Sequence, residues 1–259
     1  MPELPDIEMF RREAEKCSGA TFTMIDIADK KFVKITGKTF KEKLQGKVLK
    51  EVVRHGKYLF LQVDNDAAVA IHFGMTGTVK CLHENEKPPP YTKCTLSFGN
   101  HKKLHCTSKR KLGKIELAAG IESYLAQQYA GPDALEIKQD EFVSIFKDKL
   151  IQAKPALTDQ SLISGIGNVY ADEILFQAGI HPRIKIGDLK EDELINVYKV
   201  MHHVLKTAVA ADADISKLPD DYLLPHRKQD EKCPRCKGLL ETIKISGRTT
   251  VFCPSCQKL

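Results

Sequence analysis

Cys233-Pro234-Arg235-Cys236 and Cys253-Pro254-Ser255-Cys256 stand near the C-terminus, separated by sixteen residues. Two CxxC pairs at this separation are the donor set of a four-thiolate zinc site. Each pair encloses a proline and one polar residue, as a tight metal-binding turn does. Between the pairs, Leu239 to Ile245 and Thr249 to Phe252 carry the β-branched and aromatic residues of two short strands, joined at Ser246-Gly247. The expectation is a β-hairpin closed at its base by Cys233, Cys236, Cys253 and Cys256 around one zinc ion. Four thiolates leave no open coordination position, so the metal is expected to be structural. Arg248 then falls near the hairpin tip, where a cation reaches outward.

Working back from the hairpin, Ala211 to Lys232 is polar, holds two prolines and reads as a loop. Helical spacing is found over Ile121–Tyr129, Gln139–Phe146, Leu162–Ser164, Asn168–Ala178 and Lys190–Ala210. Gly131-Pro132 reads as a linker. Ser164-Gly165-Ile166-Gly167-Asn168 lies between two of these helical stretches. Its glycines permit a tight turn whose backbone N–H groups open the next helix, a geometry that grips a phosphate. Asn168 is suited to cap that helix, and Lys154 just upstream adds a cation. Most such turns only reverse the chain.

The first half of the chain has a different texture. Short β-branched and aromatic runs (Phe22–Ile27, Val48–Arg54, Tyr58–Val63, Ala68–Phe73, Thr92–Phe98, Lys103–Thr107) alternate with turn residues and predict an antiparallel sandwich or barrel. Ahead of them, Pro5 to Ser18 reads as a helix. Asp6 and Glu8 suit its N-terminal dipole, Gly19 stops it, and Ile7, Phe10, Ala14 and Cys17 line one face. Met75, between two glycines after the Ala68–Phe73 strand, is placed to protrude or to fold back onto the sheet. Lys57 begins a strand and reads as exposed.

Of 259 residues, 40 are basic and 34 acidic, a net charge of +6. The charges are segregated: residues 1–120 carry 22 basic and 14 acidic side chains, residues 121–225 carry 10 and 17, and residues 226–259 carry 8 and 3. The densest basic stretch, His101 to Ile115, has six lysines and arginines and no acid. Two separated basic stretches suit a polyanion. The composition, with 42% hydrophobic residues, excludes a disordered or fibrous chain, and no apolar run reaches the ~18 residues of a membrane span. The acids of Met1-Pro2-Glu3-Leu4-Pro5-Asp6 do not suit a signal peptide, so an intracellular, cytoplasmic protein is expected. Cys17, Cys81, Cys94 and Cys106 follow no pattern and are expected to be inert core thiols.

Met1-Pro2 has a chemical consequence. Methionine before proline is normally removed, which frees Pro2 as a secondary amine able to attack an aldehyde and form an iminium. An α-amino group is far less basic than lysine, so much of it is unprotonated near neutral pH. Glu3 beside it can accept or supply a proton.

Together, Met1-Pro2-Glu3-Leu4-Pro5, Gly56-Lys57-Tyr58-Leu59, His72-Phe73-Gly74-Met75-Thr76-Gly77, Gly165-Ile166-Gly167-Asn168-Val169-Tyr170-Ala171-Asp172-Glu173 and the four-cysteine hairpin occur in one order. In this the chain resembles the formamidopyrimidine-DNA glycosylase/endonuclease VIII family, and more closely the bacterial formamidopyrimidine type. The resemblance implies an α+β fold of two domains. Residues 1–130 would form a β-sandwich catalytic domain with an N-terminal helix, residues 131–225 a helix–two-turn–helix domain, and residues 226–259 a zinc finger. It implies a monomer that acts on damaged double-stranded DNA as a bifunctional glycosylase and AP lyase, associated with the bacterial nucleoid while at work. Pro2 would be the nucleophile at C1′, Glu3 the proton donor to the sugar ring oxygen, and Lys57 a third catalytic group. Lys57, His72, Asn168 and Arg248 match phosphate-holding positions, with Lys154 and Gly167 beside them. Met75, Arg110 and Leu112 match the residues that fill the space left by an extruded base. The chain departs from the family pattern at Asp6, in place of glutamate, and at Leu112, in place of phenylalanine. It also lacks the glycine-rich and aromatic lid that closes over 8-oxoguanine, since its 211–232 segment is short. The alternative is a non-catalytic damaged-DNA-binding protein of the same fold, which would have no use for Pro2 and Glu3.

Overall fold

The computed structural model describes every residue except 64–66 and 229. Its contacts divide the chain into two compact units, one of Met1–Pro2 with Asp6–Tyr129, the other of Glu3–Pro5 with Ala130–Leu259.

The first unit is built on two four-stranded antiparallel sheets. In chain order its elements are α1 (Leu4–Glu15, whose first two residues pack with the second unit), β1 (Phe22–Ile27), α2 (Gly37–Lys43), β2 (Glu51–His55), β3 (Tyr58–Gln62), β4 (Ala68–His72), β5 (Gly77–His83), β6 (Thr92–Phe98), β7 (Lys102–Ser108), β8 (Lys114–Ala118) and α3 (Ile121–Gln127). One sheet has the order β1-β6-β7-β5, the other β2-β3-β4-β8. Alternate residues of a strand face opposite sides, and the inward sets (Phe22, Val79, Leu96 and Leu104 from one sheet, Leu59, Leu61, Val69 and Ile71 from the other) join in one core. The outer face of the second sheet is also apolar. Phe60, Ala68, Ala70 and Ala118 are covered there by Tyr124 of α3.

Two strands and two helices of the structure lie where the sequence reading placed none. In β5, the start of Gly77-Thr78-Val79-Lys80-Cys81 alternates buried and exposed, but it follows a glycine-rich turn that draws attention away from its period. The five-residue β8 follows the basic loop. In α2, three lysines surround the single buried Phe40, and Thr36 caps the helix by accepting the Thr39 N–H at 3.0 Å. The predicted α1 ran to Ser18, but i→i−3 bonds from Cys17 to Ala14 and from Ser18 to Glu15 tighten its end into a turn.

The second unit holds α4 (Gln139–Phe146), α5 (Ala153–Thr158), α6 (Asn168–Ala178), α7 (Glu191–Ala210) and a terminal hairpin of β9 (Glu241–Ile245) and β10 (Arg248–Phe252). Its core gathers Phe142, Phe146, Leu157, Ile163, Ile174 and Val204 around α6. Helix α5 is absent from the sequence reading because Pro155 marks a breaker, yet here it occupies the first turn, where its missing N–H costs little. Leu162–Ser164, expected to be helical, is instead a turn: Leu162 and Ile163 both donate to the Asp159 carbonyl, and Ser164 bridges to Asp133. Gly131, read as part of the linker, follows directly on the division of the chain between Tyr129 and Ala130, and it is closely packed. A Cβ there would stand 2.6 Å from the Ser161 carbonyl oxygen. Nor is 211–232 a simple polar loop. It contains two 3₁₀ turns (Ile215–Lys217 and Leu224–His226) and buries Leu218, Tyr222, Leu223 and Leu224.

Candidate functional site

In the second unit the structure centres on the N-terminus of α6. The backbone N–H groups that open α6, expected to grip a phosphate, hold a carboxylate from the chain itself, whereas the Gly165 N–H donates to Gln160 Oε1. Glu3 Oε2 accepts the N–H of Gly167 at 2.8 Å and of Tyr170 at 3.1 Å, and Glu3 Oε1 accepts that of Val169 at 2.9 Å. Leu4 N–H donates to the Gly165 carbonyl at 3.0 Å. Glu3 is 3% exposed. The first N–H groups of a helix have no partners within it, and its dipole favours an anion there, so a carboxylate is the natural occupant. The turn's glycines follow from this approach. A Cβ on Gly165 would meet Leu4 Cδ1 at 2.7 Å, and one on Gly167 would stand 2.3 Å from Glu3 Cδ. Gly167, not Asn168, is the N-cap residue, and Asn168 is the first residue of the helix. Among the described residues Asn168 Oδ1 is buried and meets no donor.

This geometry predicts the effect of Gly167→Ala. The new methyl group must push the Glu3 carboxylate out of its seat, breaking hydrogen bonds inside a packed site. We expect a loss of about 3 kcal/mol, read as a lower urea midpoint at unchanged slope. A midpoint equal to that of the parent would mean that Glu3 does not sit as described.

Lys154 does not present a surface cation, contrary to the expectation that it meets DNA. It is 2% exposed, and its Nζ is shared by Asp172 Oδ1 at 2.6 Å, Thr250 Oγ1 at 2.8 Å and the Thr249 carbonyl at 3.1 Å. Arg227 joins from the other side, with Nη2 at 2.7 Å from Asp172 Oδ2 and 3.0 Å from the Thr249 carbonyl. Asp172 also accepts the Val251 N–H. Burial raises the Asp172 carboxyl and lowers the Lys154 ammonium, while their mutual attraction opposes both shifts. The cluster fastens β10 to α6. Next to it, Glu173 accepts the N–H groups of Leu223 at 3.1 Å and Leu224 at 2.8 Å, while burial pushes its carboxyl up to about 7. Both acids of the Tyr170-Ala171-Asp172-Glu173 stretch are therefore anchors. Sequence reading missed this, because Lys154 lies 18 residues upstream of Asp172 and the other partners, Leu223, Leu224, Arg227 and Val251, lie 50 or more residues downstream.

Arg248 opens β10 directly after Ser246 and Gly247, whose φ angles of 47° and 74° make the left-handed turn that suits a two-residue hairpin. Its side chain is exposed at the tip. At the base, the Sγ atoms of Cys233, Cys236, Cys253 and Cys256 lie within 4.8 Å of one another. Two of the separations, Cys233 to Cys256 and Cys236 to Cys253, are 3.9 and 3.5 Å. A tetrahedron with metal–sulfur bonds of about 2.3 Å has edges of about 3.8 Å, so these residues fit one zinc ion with no further ligand. The zinc is structural.

In the first unit, Lys57 sits in the Gly56-Lys57 turn between β2 and β3 and is buried at 8% exposure, not exposed as its strand-leading position suggested. His72 ends β4, opposite Tyr58 and Lys114, and its Nδ1 accepts the Gly74 N–H at 3.3 Å. Burial, then Lys114, then Lys57 push the imidazole down to about 4, so His72 is neutral at pH 7 and offers a ring N–H rather than a charge. Because its folded value lies below the usual 6.5, the unfolded chain binds more protons between those values. The contribution of His72 to stability is thus full above pH 6.5 and is lost as pH falls toward 4. Titration of the ring followed by NMR should show no protonation at pH 6; a midpoint near 6.5 would contradict this environment.

Met75, Arg110 and Leu112 are brought together. The Gly74-Met75-Thr76 turn lies against the segment after β7: a Cβ on Gly74 would stand 2.4 Å from the Leu112 carbonyl carbon, and Arg110 N–H donates to Thr76 Oγ1 at 3.0 Å. Met75 is 40% and Leu112 55% exposed, so both protrude. The wider basic stretch is dispersed. Lys102 donates to the Lys16 carbonyl, Lys103 to that of Glu84, Lys111 pairs with Asp29, and Lys114 pairs with Glu116. Pro2 is half-buried ahead of α1.

A sandwich unit, a helical unit whose central helix is preceded by a two-turn reversal, and a four-thiolate hairpin define a recognisable class of two-part protein. Residues 1–115 match the model of the formamidopyrimidine-DNA glycosylase N-terminal domain, residues 130–220 that of the formamidopyrimidine-DNA glycosylase H2TH domain, and residues 230–259 that of a zinc finger found in FPG and IleRS. The chain belongs to the formamidopyrimidine-DNA glycosylase family. It is 33% identical to a formamidopyrimidine-DNA glycosylase of Arabidopsis thaliana, over all of this chain and 71% of that protein. It is 30% identical to the enzyme of that name from Lactococcus lactis subsp. lactis, over the whole of both. Among solved structures, Lactococcus lactis Fpg bound to DNA containing N7-benzyl-Fapy-dG superposes with a TM-score of 0.89 at 27% identity, covering all of both chains. MutM with DNA containing carbocyclic 8-oxo-G gives 0.87 at 28%, again over both chains. Among the described residues no helix is long and apolar enough to cross a membrane.

Proposed function

We propose that this protein is a DNA glycosylase of base-excision repair that releases ring-opened and oxidised bases and then cleaves the strand as an AP lyase. The observation that carries the reading is the seating of Glu3 at the N-terminus of α6, since it fixes the residue next to the one secondary amine the chain can expose. The relatives are formamidopyrimidine-DNA glycosylases by name, and the similar structures are Fpg complexes with damaged DNA. In this proposal, removal of Met1 frees the Pro2 amine, which attacks C1′ as the base departs. The amine sheds a proton on bonding. Glu3, held as an acceptor by three N–H groups, takes it and passes it to the sugar ring oxygen as the iminium forms. β- and δ-elimination then cut the strand on both sides. Lys57, His72, Asn168 and Arg248 supply donors to phosphates, His72 as a neutral N–H and Arg248 as a charge, while Gly167, its own N–H taken by Glu3, lets the backbone come close at the DNA-binding turn. Met75, Arg110 and Leu112 enter the space vacated by the flipped nucleotide. Residues 1–130 serve catalysis, 131–225 and 226–259 serve DNA binding, and the protein acts as a cytoplasmic monomer on the nucleoid.

Borohydride reduction on abasic-site DNA tests the chemistry, because only a Schiff base becomes a stable adduct. Failure to trap a covalent complex would leave a binding protein. Selectivity follows from the 211–232 segment. With Tyr222, Leu223 and Leu224 buried and tied down by Glu173, that segment offers little to close over a base. In single-turnover cleavage, formamidopyrimidines and oxidised pyrimidines such as thymine glycol or hydantoins should be released about tenfold faster than 8-oxoguanine opposite cytosine. Equal rates would show that selectivity does not depend on such a lid.

A further inference from the structure

Cys17 and Cys81 are 64 positions apart in sequence, yet their sulfur atoms lie 3.2 Å from each other. Cys17 follows α1 and is closed to solvent, whereas Cys81, on β5, is partly open to it. The surroundings are polar and specific. Glu13 Oε1 accepts the Cys81 N–H at 2.9 Å, Glu13 pairs with Lys16, and Lys102 Nζ reaches the Lys16 carbonyl at 2.7 Å. Cys94 and Cys106 differ. They are register partners across β6 and β7, both enclosed in the sandwich core.

We propose that Cys17 and Cys81 form a modification site, a dithiol that hydrogen peroxide converts into a reversible disulfide between the end of α1 and β5. The chemistry needs one thiol that a small oxidant can reach and a second within bonding reach of it, and the pair supplies both. Cys81 attacks the peroxide: an S–O bond forms, the O–O bond breaks, and the leaving hydroxide takes a proton to become water. The Cys17 sulfur then attacks the Cys81 sulfenic sulfur. An S–S bond forms, the S–O bond breaks, and hydroxide leaves with the Cys17 proton as a second water. Two thiols and one peroxide thus yield one disulfide and two waters. A disulfide bond is about 2.05 Å long, so the sulfurs need to close by only about 1.2 Å. The hydrogen bond from Cys17 lowers the Cys81 thiol, with Lys102 acting in the same sense, while the same hydrogen bond and burial raise that of Cys17. Cys81 is therefore the attacking sulfur and Cys17 the resolving one.

The test uses the full-length zinc-loaded protein, treated with a small excess of hydrogen peroxide, alkylated with iodoacetamide, digested and read by mass spectrometry. The expected product is a peptide pair joined through Cys17 and Cys81, two hydrogens lighter than the separate peptides and released by dithiothreitol. It should form at least about tenfold faster than thiol is lost from Cys94 or Cys106. Cys17→Ser should halt at a sulfenic acid on Cys81 that dimedone traps. Recovery of Cys17 and Cys81 as alkylated thiols would overturn the proposal, as would sulfinic acid on Cys81 without a cross-link. Should Cys17→Ser fail to fold, the cross-link in the parent protein decides alone.

Discussion

A variant with one additional residue ahead of Pro2 is expected to lose both base release and strand cleavage by several orders of magnitude, while binding abasic-site DNA as the parent does. The extra peptide bond turns the Pro2 amine into an amide, whose nitrogen lone pair is delocalised and no longer nucleophilic. Removing a nucleophile is among the largest single losses an enzyme can suffer. Charge and packing at Lys57, His72, Asn168 and Arg248, the positions proposed to hold phosphates, are untouched, so affinity should hold. The measurement is single-turnover cleavage beside borohydride trapping, with affinity read by titration. Full cleavage by the extended protein would assign the nucleophile elsewhere, with Lys57 the first alternative. Its burial at 8% exposure makes it a poor substitute for a chain-terminal amine.

The second large effect lies away from the reacting groups. Asp172→Ala should destabilise the second unit by about 3–5 kcal/mol, because it leaves the buried Lys154 and the half-buried Arg227 without their carboxylate. Asp172→Asn keeps the volume and one acceptor and should cost less, but it cannot neutralise two cations. In Asp172→Ala β10 loses its polar tie to α6 and keeps only the packing of Phe176 on Val251, so Arg248 should become more mobile while the four cysteines still hold zinc. Urea denaturation gives the stability and metal analysis the zinc content. A change below about 0.5 kcal/mol in Asp172→Ala would mean the cluster carries no net stabilisation.

What the sequence discloses depends on the span of each interaction. The four-cysteine site is legible because its ligands come in pairs three residues apart, and the hairpin because Ser246-Gly247 marks its turn. Helix α6 is legible to the residue, from Asn168 to Ala178. The electrostatic logic at its N-terminus is legible too: an anion belongs there. The identity of that anion is not, because Glu3 comes from the opposite end of the chain and no periodicity links residue 3 to residue 167. The same holds for Lys154, whose charge suggests the surface until Asp172, Thr249 and Arg227 are seen around it. Cys17 and Cys81 share this limitation, since four unpatterned thiols contain no signal of which two will meet.

The Glu3 clasp also bears on the order in which the molecule is made. Its hydrogen bonds join residues 164 to 167 positions apart, and contacts of such separation form late, after the intervening chain has paid its loop-closure entropy. The first residues to leave the ribosome therefore wait for the α6 turn to be synthesised and folded before Glu3 can be seated. Until then the carboxylate proposed as the proton partner of the Pro2 amine is not ordered beside it. If the amine acts as proposed, a nascent or half-folded chain thus carries a comparatively harmless one, and full reactivity toward sugar aldehydes would arrive only with completion of the second unit.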